Sequence, residues 1–501
     1  MESLPGFHPG YGSRQPSARS CGRLSVANAC YTARHFAYQA GTVTNTAFAS
    51  LPLSAAMLAN LESLGYAEMT PIQAQSLPVI LKGMDLIAQA KTGSGKTAAF
   101  GIGLLNPLNP RYFGCQALVL CPTRELADQV AKEIRRLARG ADNIKVLTLC
   151  GGVPFGPQIG SLEHGAQIIV GTPGRIQQHL SKGTLKLDGL NTLVLDEADR
   201  MLDMGFYDSI AEIIGQTPAR RQTLLFSATY PAGIKQLSAT FMRNPQQVKA
   251  EALHDDTQIE QRFYEISPEE RMDAVVKLLA SFRPQSCVAF CFTKQQCQEL
   301  VDHLSANGIS AAALNGDLEQ RDRDQVLAMF ANRSLSVLAA TDVAARGLDI
   351  DGLDMVINVE LARDSEIHIH RVGRTGRAGE KGLAMSLVAP PEAHRAQAIE
   401  ALQKSPLNWH PLSSLKAKAG EPLQPPMITL CIGAGRKDKL RPGDILGALT
   451  GEAGIPGDKV GKIAIFDFQA FVAVERSLAK IALKRLTEGK IKGRSLRVRT
   501  L

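Results

Sequence analysis

No apolar run in this 501-residue chain reaches the roughly 18 residues that a membrane-crossing helix needs. The first residues also lack a basic start followed by an apolar core. Both absences argue against a membrane-bound or exported chain, and the expected location is cytoplasmic. Cysteine supplies no framework either. There are nine, an odd number, mostly single within apolar runs, as Cys121 and Cys150 are. The CVAFC stretch at 287–291 lacks metal-ligand spacing, so neither a disulfide scaffold nor a structural zinc is expected. Tryptophan occurs once, as Trp409.

What is present is enough for several domains: 45% hydrophobic residues and 44 glycines. The net charge of +8 is unevenly placed. Residues 421–501 hold 15 Lys and Arg against 8 Asp and Glu, and residues 1–45 hold 4 against 1, which leaves the middle slightly acidic. A basic end on a near-neutral body fits a polyanion-binding module and, equally, a solvated basic face.

Residues 1–45 are rich in Gly, Ser, Ala and Arg, show no sustained period, and are expected to be a disordered extension or to lie upstream of the true start, with Val43 as an alternative first codon. From 46 to 250, short β-rich runs (DLIAQA, ALVLCPT, VLTLC, QIIVGTP, TLVLDEAD, QTLLFSAT) alternate with helical patterns. A second such series fills 256–404. The alternation predicts two tandem α/β domains, each a parallel sheet with crossover helices on both faces. Residues 405–425, rich in Pro, Ser and Gly, read as a linker. Residues 426–501 follow a βαββαβ order, which fits a small ferredoxin-like or RNA-recognition-motif (RRM-like) α+β domain.

Two stretches carry chemistry. DLIAQA runs into KTGSGKTAAF, where Gly93, Gly95, Lys96 and Thr97 form a phosphate-binding loop opening a helix. Glycines let successive N–H groups turn around an anion, Lys96 reaches terminal phosphates, and Thr97 offers a hydroxyl to magnesium. The pattern starts with Ala90 where glycine is usual. The second stretch, LVLDEADRML, places Asp196, Glu197 and Asp199 at the end of an apolar strand. Helix capping alone would explain these acids. With a phosphate loop in the same sheet, they make a nucleotide-hydrolysis site instead: Asp196 for Mg2+, Glu197 for the attacking water, and Asp199 within reach of Ser227 or Thr229.

Read in order, the chain carries GYAEMTPIQ (65–73), AKTGSGKT (90–97), PTREL (122–126), GG (151–152), TPGR (172–175), DEAD (196–199), SAT (227–229), QRDR (320–323), TDVAARGLD (341–349) and HRVGRTGR (370–377). In these motifs it resembles the DEAD-box RNA helicases. The resemblance implies two RecA-like domains that close on ATP. It implies that Gln73, with the upstream Phe48, recognises adenine; that Thr92, Gly93, Ser94, Gly95, Lys96 and Thr97 hold the phosphates; and that Gly347 and Asp349 meet the ribose side. Arg374 and Arg377 would contact the γ-phosphate and complete the catalytic set with Lys96, Asp196 and Glu197. RNA-backbone contacts are implied for Pro122, Thr123, Arg124, Gly151, Gly152, Thr172, Pro173, Gly174, Arg175, Gln320, Arg323, Thr341 and Asp342. Asp199, Ser227, Thr229 and His370 would couple the two sites. Asn315 stands where relatives often carry histidine.

The basic tail, with RPGDILGALTG and KIKGRSLRVR, is similar to that of the DbpA type of bacterial DEAD-box protein. That likeness implies a hairpin of 23S ribosomal RNA as partner and 50S assembly as the work, done by a monomer with no affinity for DNA expected. The strand TLCIGAG has no aromatic on which bases could stack. RNA contact is therefore expected through loops and Arg436, Lys437, Lys439, Lys462, Lys490, Lys492 and Arg494. The alternative is a general RNA helicase, chaperone or ATP-gated clamp with an unselective basic tail.

Overall fold

The computed structural model describes residues 46–90, 93–250, 259–345, 352–376, 381–416, 423–451 and 454–501. The expectations for residues 1–45, and those for Thr92, Gly347, Asp349 and Arg377, lie outside the described residues.

The first domain is built on seven parallel strands: β1 (Leu86–Gln89), β2 (Ala117–Leu120), β3 (Val146–Leu149), β4 (Ile168–Gly171), β5 (Thr192–Leu195), β6 (Gln222–Ser227) and β7 (Gln246–Lys249), ordered β3-β4-β2-β5-β6-β1-β7. Side chains alternate across a strand. Ala117 and Val119 therefore enter the apolar cluster on one face of the sheet, while Leu118 and Leu120 enter the cluster on the other. Burial on both faces is why these runs are apolar throughout. The strand order sets the ends of β5, β6 and β1 side by side, bringing the acids, Ser227 and the phosphate loop to one edge.

The second domain repeats the plan with β8 (Ile259–Glu265), β9 (Cys287–Cys291), β10 (Ala311–Leu314), β11 (Val337–Thr341), β12 (Met355–Asn358), β13 (Gly382–Val388) and β14 (Trp409–His410), ordered β10-β11-β9-β12-β13-β8-β14. The last strand departs from expectation, because it falls inside the segment read as a linker. Trp409 and His410 pair in parallel with Phe263 and Tyr264, and the Phe263 and Trp409 rings lie 5.7 Å apart. Leu412, Leu415 and Leu423 pack on the core of the domain. Apolar residues hidden among Pro and Ser turn this stretch into a strap.

The tail domain is a four-stranded antiparallel sheet of β15 (Met427–Ile432), β16 (Val460–Ile465), β17 (Ala470–Glu475) and β18 (Val498–Thr500), ordered β16-β17-β15-β18, with helices Pro442–Thr450 and Ala479–Glu488. Leu430 and Ile432 face its own core, while Cys431 and Phe471 form a cluster with Ala328 of the second domain's helix Gln320–Ala331. Thr429 Oγ1 donates to Ser334 Oγ at 2.8 Å, Arg321 Nε to Gln469 Oε1 at 3.2 Å, and Arg499 to Gln325 Oε1 at 3.1 Å. The sheet face that RNA-recognition motifs use for stacking is covered by this chain's own helix.

The phosphate-loop helix Lys96–Leu105 crosses helix Pro71–Leu81 so closely that a Cβ on Gly103 would lie 2.2 Å from Ile80 Cγ2. Ile80 is branched at Cβ and cannot swing aside cheaply. Gly103→Ala is expected to destabilise the protein by about 1–3 kcal/mol in denaturant melts. An unchanged midpoint would mean that the two helices have room to separate.

Candidate ATP and RNA site

The phosphate loop is shaped by glycines with left-handed backbone, Gly93 at φ +81° and Gly95 at φ +91°. A side chain at Gly95 would also strike Gln73 Nε2 at 2.5 Å. Gln73 is buried; its Oε1 accepts from Thr70 N at 2.9 Å and its Nε2 donates to Gly95 O at 3.1 Å. Thr70 Oγ1 donates to Ser94 O at 2.8 Å. The 65–73 motif therefore grips the phosphate loop from behind. Phe48 is buried edge-on to Tyr66, with ring centres 6.1 Å apart, inside the core. Lys96, first residue of its helix, is buried and donates to Ala90 O at 2.6 Å, while the neighbouring Thr97 is half-buried.

The three acids have different environments. Burial pushes the Asp196 carboxyl up to about 7, against the opposing pull of Lys96. Glu197 sits at φ +51°, a strained position for a side-chain-bearing residue, and Arg200 Nη1 holds its Oε2 at 2.8 Å with both groups buried. Asp199 is buried too, but the Thr229 N–H and hydroxyl, both 2.9 Å from Oδ2, outweigh burial and hold it below the usual carboxylate range. Ser227 Oγ donates to Thr229 O at 2.7 Å. Arg200 was not among the residues singled out from sequence; its only signal is its i+3 spacing from Glu197.

The second domain faces these acids across a cleft of about 110 Å³ lined by Asp199, Arg200 and Thr229 on one side and Asp342, His370 and Arg374 on the other. His370 is pushed down to about 4, first by burial and then by Arg200, so it is neutral at pH 7. Asp342 is bound at both oxygens by Arg371, at 2.7 and 2.8 Å, and Arg371 also donates to Asn358 and Glu360 O. Asp342 is thus engaged inside its own domain. The Thr341 hydroxyl lies 3.4 Å from Ala344 N.

Other motif residues sit at helix starts and along the boundary between the two domains. Thr123 caps helix Arg124–Leu137 through Leu126 N, and Thr172 and Pro173 open helix Pro173–Ser181. Arg323 Nε reaches across the domain boundary to Glu125 Oε1 at 2.6 Å, and Gln320 Nε2 donates to Asp324 at 2.7 Å. The empty side of Gly152, at φ +73°, faces Arg124 and Gln320. Arg175 is held by Gln158 Oε1 at 3.0 Å and Val153 O at 3.1 Å. Gln158 also donates to Cys150 O at 3.0 Å and lies 2.9 Å from His179 Nε2, which burial keeps neutral by lowering it to about 4. Gln158 and His179 thus position both the GG loop and Arg175, and no motif marks them.

Two parallel-sheet domains that face each other over a phosphate loop and a buried acidic strand end define a nucleotide-driven motor of the helicase class. Comparison with known proteins narrows this. Residues 70–237 match the DEAD/DEAH box helicase family, 270–379 the helicase conserved C-terminal domain, and 429–500 the DbpA RNA binding domain. The chain is 55% identical over 459 residues to ATP-dependent RNA helicase DbpA of Escherichia coli (strain K12), covering 91% of this chain and all of the relative. It is 43% identical to DEAD-box ATP-dependent RNA helicase CshA of Bacillus subtilis (strain 168), over 71% of this chain and 72% of that one. The solved structure of S. cerevisiae Dbp5 bound to RNA and ADP BeF3 superposes with a TM-score of 0.67 at 30% identity, over 74% of this chain and 96% of that one. The chain belongs to the DEAD-box ATP-dependent RNA helicases, within their DbpA-type branch. Its activity is RNA-stimulated ATP hydrolysis with RNA unwinding.

Gln158→Ala removes the bond that aims Arg175 and leaves the ATP loop untouched. The RNA concentration for half-maximal ATPase is expected to rise about fivefold, on the order of 1 kcal/mol, with the KM for ATP unchanged. Equal RNA affinity in the variant would show that Arg175 holds its position without Gln158.

Proposed function

We propose that this helicase opens short RNA duplexes locally and that its tail delivers it to a hairpin of 23S ribosomal RNA during 50S assembly. The observation that carries the delivery is the tail's docking. Its sheet is spent on helix Gln320–Ala331, which itself holds Gln320 and Arg323, while Arg436, Lys437, Lys439, Lys462, Lys490, Lys492 and Arg494 are all exposed. Phe468, at the β16–β17 turn, is 74% exposed. RNA held on those loops lies next to the helix that carries Gln320 and Arg323, which raises its effective concentration at the cleft. The likeness of the tail to the DbpA RNA binding domain supports a ribosomal hairpin as the RNA so held. Both halves of the site come from one chain, which supports a monomer. No described helix is long and apolar enough to cross a membrane, and we place the work in the cytoplasm.

In this reading Gln73 recognises adenine through the amide capacity that Thr70 and Gly95 leave over, with Phe48 supporting the motif from the core. Mg2+ fits the donor set: one buried carboxylate that is costly to ionise without a nearby cation, Asp196, and the Thr97 hydroxyl in the first turn of the phosphate-loop helix. Among the described residues no cluster of three His, Cys, Asp or Glu competes as a metal cage, and a magnesium ion needs none when phosphates complete its shell. The ion supplies charge neutralisation at the phosphates; the chain's own groups do the rest. Lys96 holds the terminal phosphates, and Glu197, fixed by Arg200, orients the attacking water. Arg374, with Arg377 beyond the described residues, meets the developing charge once the domains close. Asp199, Thr229 and His370 report that closure to the RNA side. Pro122, Thr123, Arg124, Gly151, Gly152, Thr172, Pro173, Gly174, Arg175, Gln320, Arg323, Thr341 and Asp342 line or support the RNA track, gripping backbone without reading sequence.

Two experiments test this. Glu197→Gln should slow turnover by about 100-fold or more while ATP-dependent RNA binding persists, as expected when one water-orienting group is lost; normal turnover removes Glu197 from that role. Steady-state ATPase at fixed salt should be stimulated by 23S RNA, lose that stimulation when the hairpin is deleted, and lose selectivity when residues 421–501 are removed. Equal stimulation by polyadenylate would make the tail an unselective anchor.

A further inference from the structure

On the edge of the first domain opposite the phosphate loop lies a cavity of about 310 Å³. It opens at the starts of β5 and β6 and at the end of helix Lys96–Leu105, whose ten residues put it roughly 15 Å from the loop. Arg220, Arg221 and Arg243 line it together with Asn191, beside the apolar side chains of Leu81 and Pro107. No carboxylate is among the lining residues. The nearest acid in the framework, Asp85, is already committed, accepting from Thr223 N at 2.8 Å and Arg243 N at 2.7 Å.

The donors are placed by a rigid frame. Arg221 is tethered to Pro218 O at 3.0 Å and Phe241 O at 3.3 Å, which leaves its Nε buried with no partner among the described residues. Gln222 spends its amide on Ile80 O and Met84 O, at 2.9 and 2.8 Å, tying the rim together. Asn191 accepts from the Thr192 hydroxyl at 2.9 Å, which orients its amide N–H groups as donors. Arg220 is exposed and makes no hydrogen bond within the described residues. Guanidinium forks converging beside an apolar wall suit an organic phosphate, and the volume falls in the range of small-molecule sites.

We propose that this pocket binds a nucleotide, its phosphate on Arg220 and Arg243 and its ring against Leu81 and Pro107, taken either free or as one unit of an RNA strand passing behind the domain.

The test uses the full chain with its ATP site saturated by AMP-PNP and Mg2+, titrated calorimetrically with GDP. The same protein is titrated with a single-stranded RNA decamer across a salt series. Both are repeated on Arg220→Ala/Arg243→Ala, with the thermal unfolding midpoint as the fold control, and on Arg220→Ala alone. Saturable one-to-one GDP binding that weakens roughly tenfold or more in the double variant supports a free nucleotide. No GDP binding, but a salt slope for RNA that falls by about 0.7 in the variant, supports the RNA strand as source. GDP binding equal in both proteins, or no change in either titration, overturns the site.

Discussion

Three carboxylates buried within four residues at one strand end cannot stay ionised without partners, and their partners tie this molecule together. Asp196 leans on Lys96 of the phosphate loop, Glu197 on Arg200, and Asp199 on Thr229. Each partner belongs to a different part of the fold: the start of the phosphate-loop helix Lys96–Leu105, the helix after the acids, and the turn just past β6. The parallel order that seats β5, β6 and β1 side by side is therefore an electrostatic requirement as well as a packing outcome.

The same edge explains why two domains are needed. His370 and Arg374 are close enough to Asp199 and Arg200 to share one cleft, and His370 is neutral because burial and Arg200 make its charged form costly. A few ångströms of opening would rehydrate these groups and release the constraint, so the cleft behaves as a switch between two electrostatic situations. The domain boundary is also bridged by Arg323 and Glu125. Among the described residues the tail adds none to the lining of this cleft. It is fixed by Thr429, Cys431 and Phe471 to the helix that carries Gln320 and Arg323, with β14 strapping the connection to the sheet.

The core strands were legible because burial on both faces leaves continuous apolar runs: all six runs quoted for the first domain became strands, in the tandem arrangement expected. The structure brings the glycines, the lysine and the acids to neighbouring strand ends, as their places after apolar runs led one to expect. Two elements escaped. β7, reading QQVK, is an edge strand with little apolar content, and β14 is two residues inside a Pro- and Ser-rich stretch, formed by tertiary contact with Phe263 and Tyr264. Gln158, His179 and Arg200 escaped for another reason: they act through residues distant in sequence or by pairing, and a lone polar residue in a helix carries no mark of its partner. Covering of the tail's sheet face by Ala328 was equally invisible, since half of that contact lies about 100 residues upstream of Cys431.

We propose that the Asp199 to Thr229 contact transmits the state of the ATP site to the RNA. The direct measurement is strands separated per ATP hydrolysed, on one short duplex at fixed salt, for the natural chain and for Thr229→Val, which removes the hydroxyl bond and keeps the backbone N–H. The account predicts that the variant hydrolyses ATP at near-normal rate yet separates several-fold fewer duplexes per turnover, in line with about 1 kcal/mol lost from the coupled state. An unchanged ratio would contradict it and return Asp199 to the role of a helix-start acid.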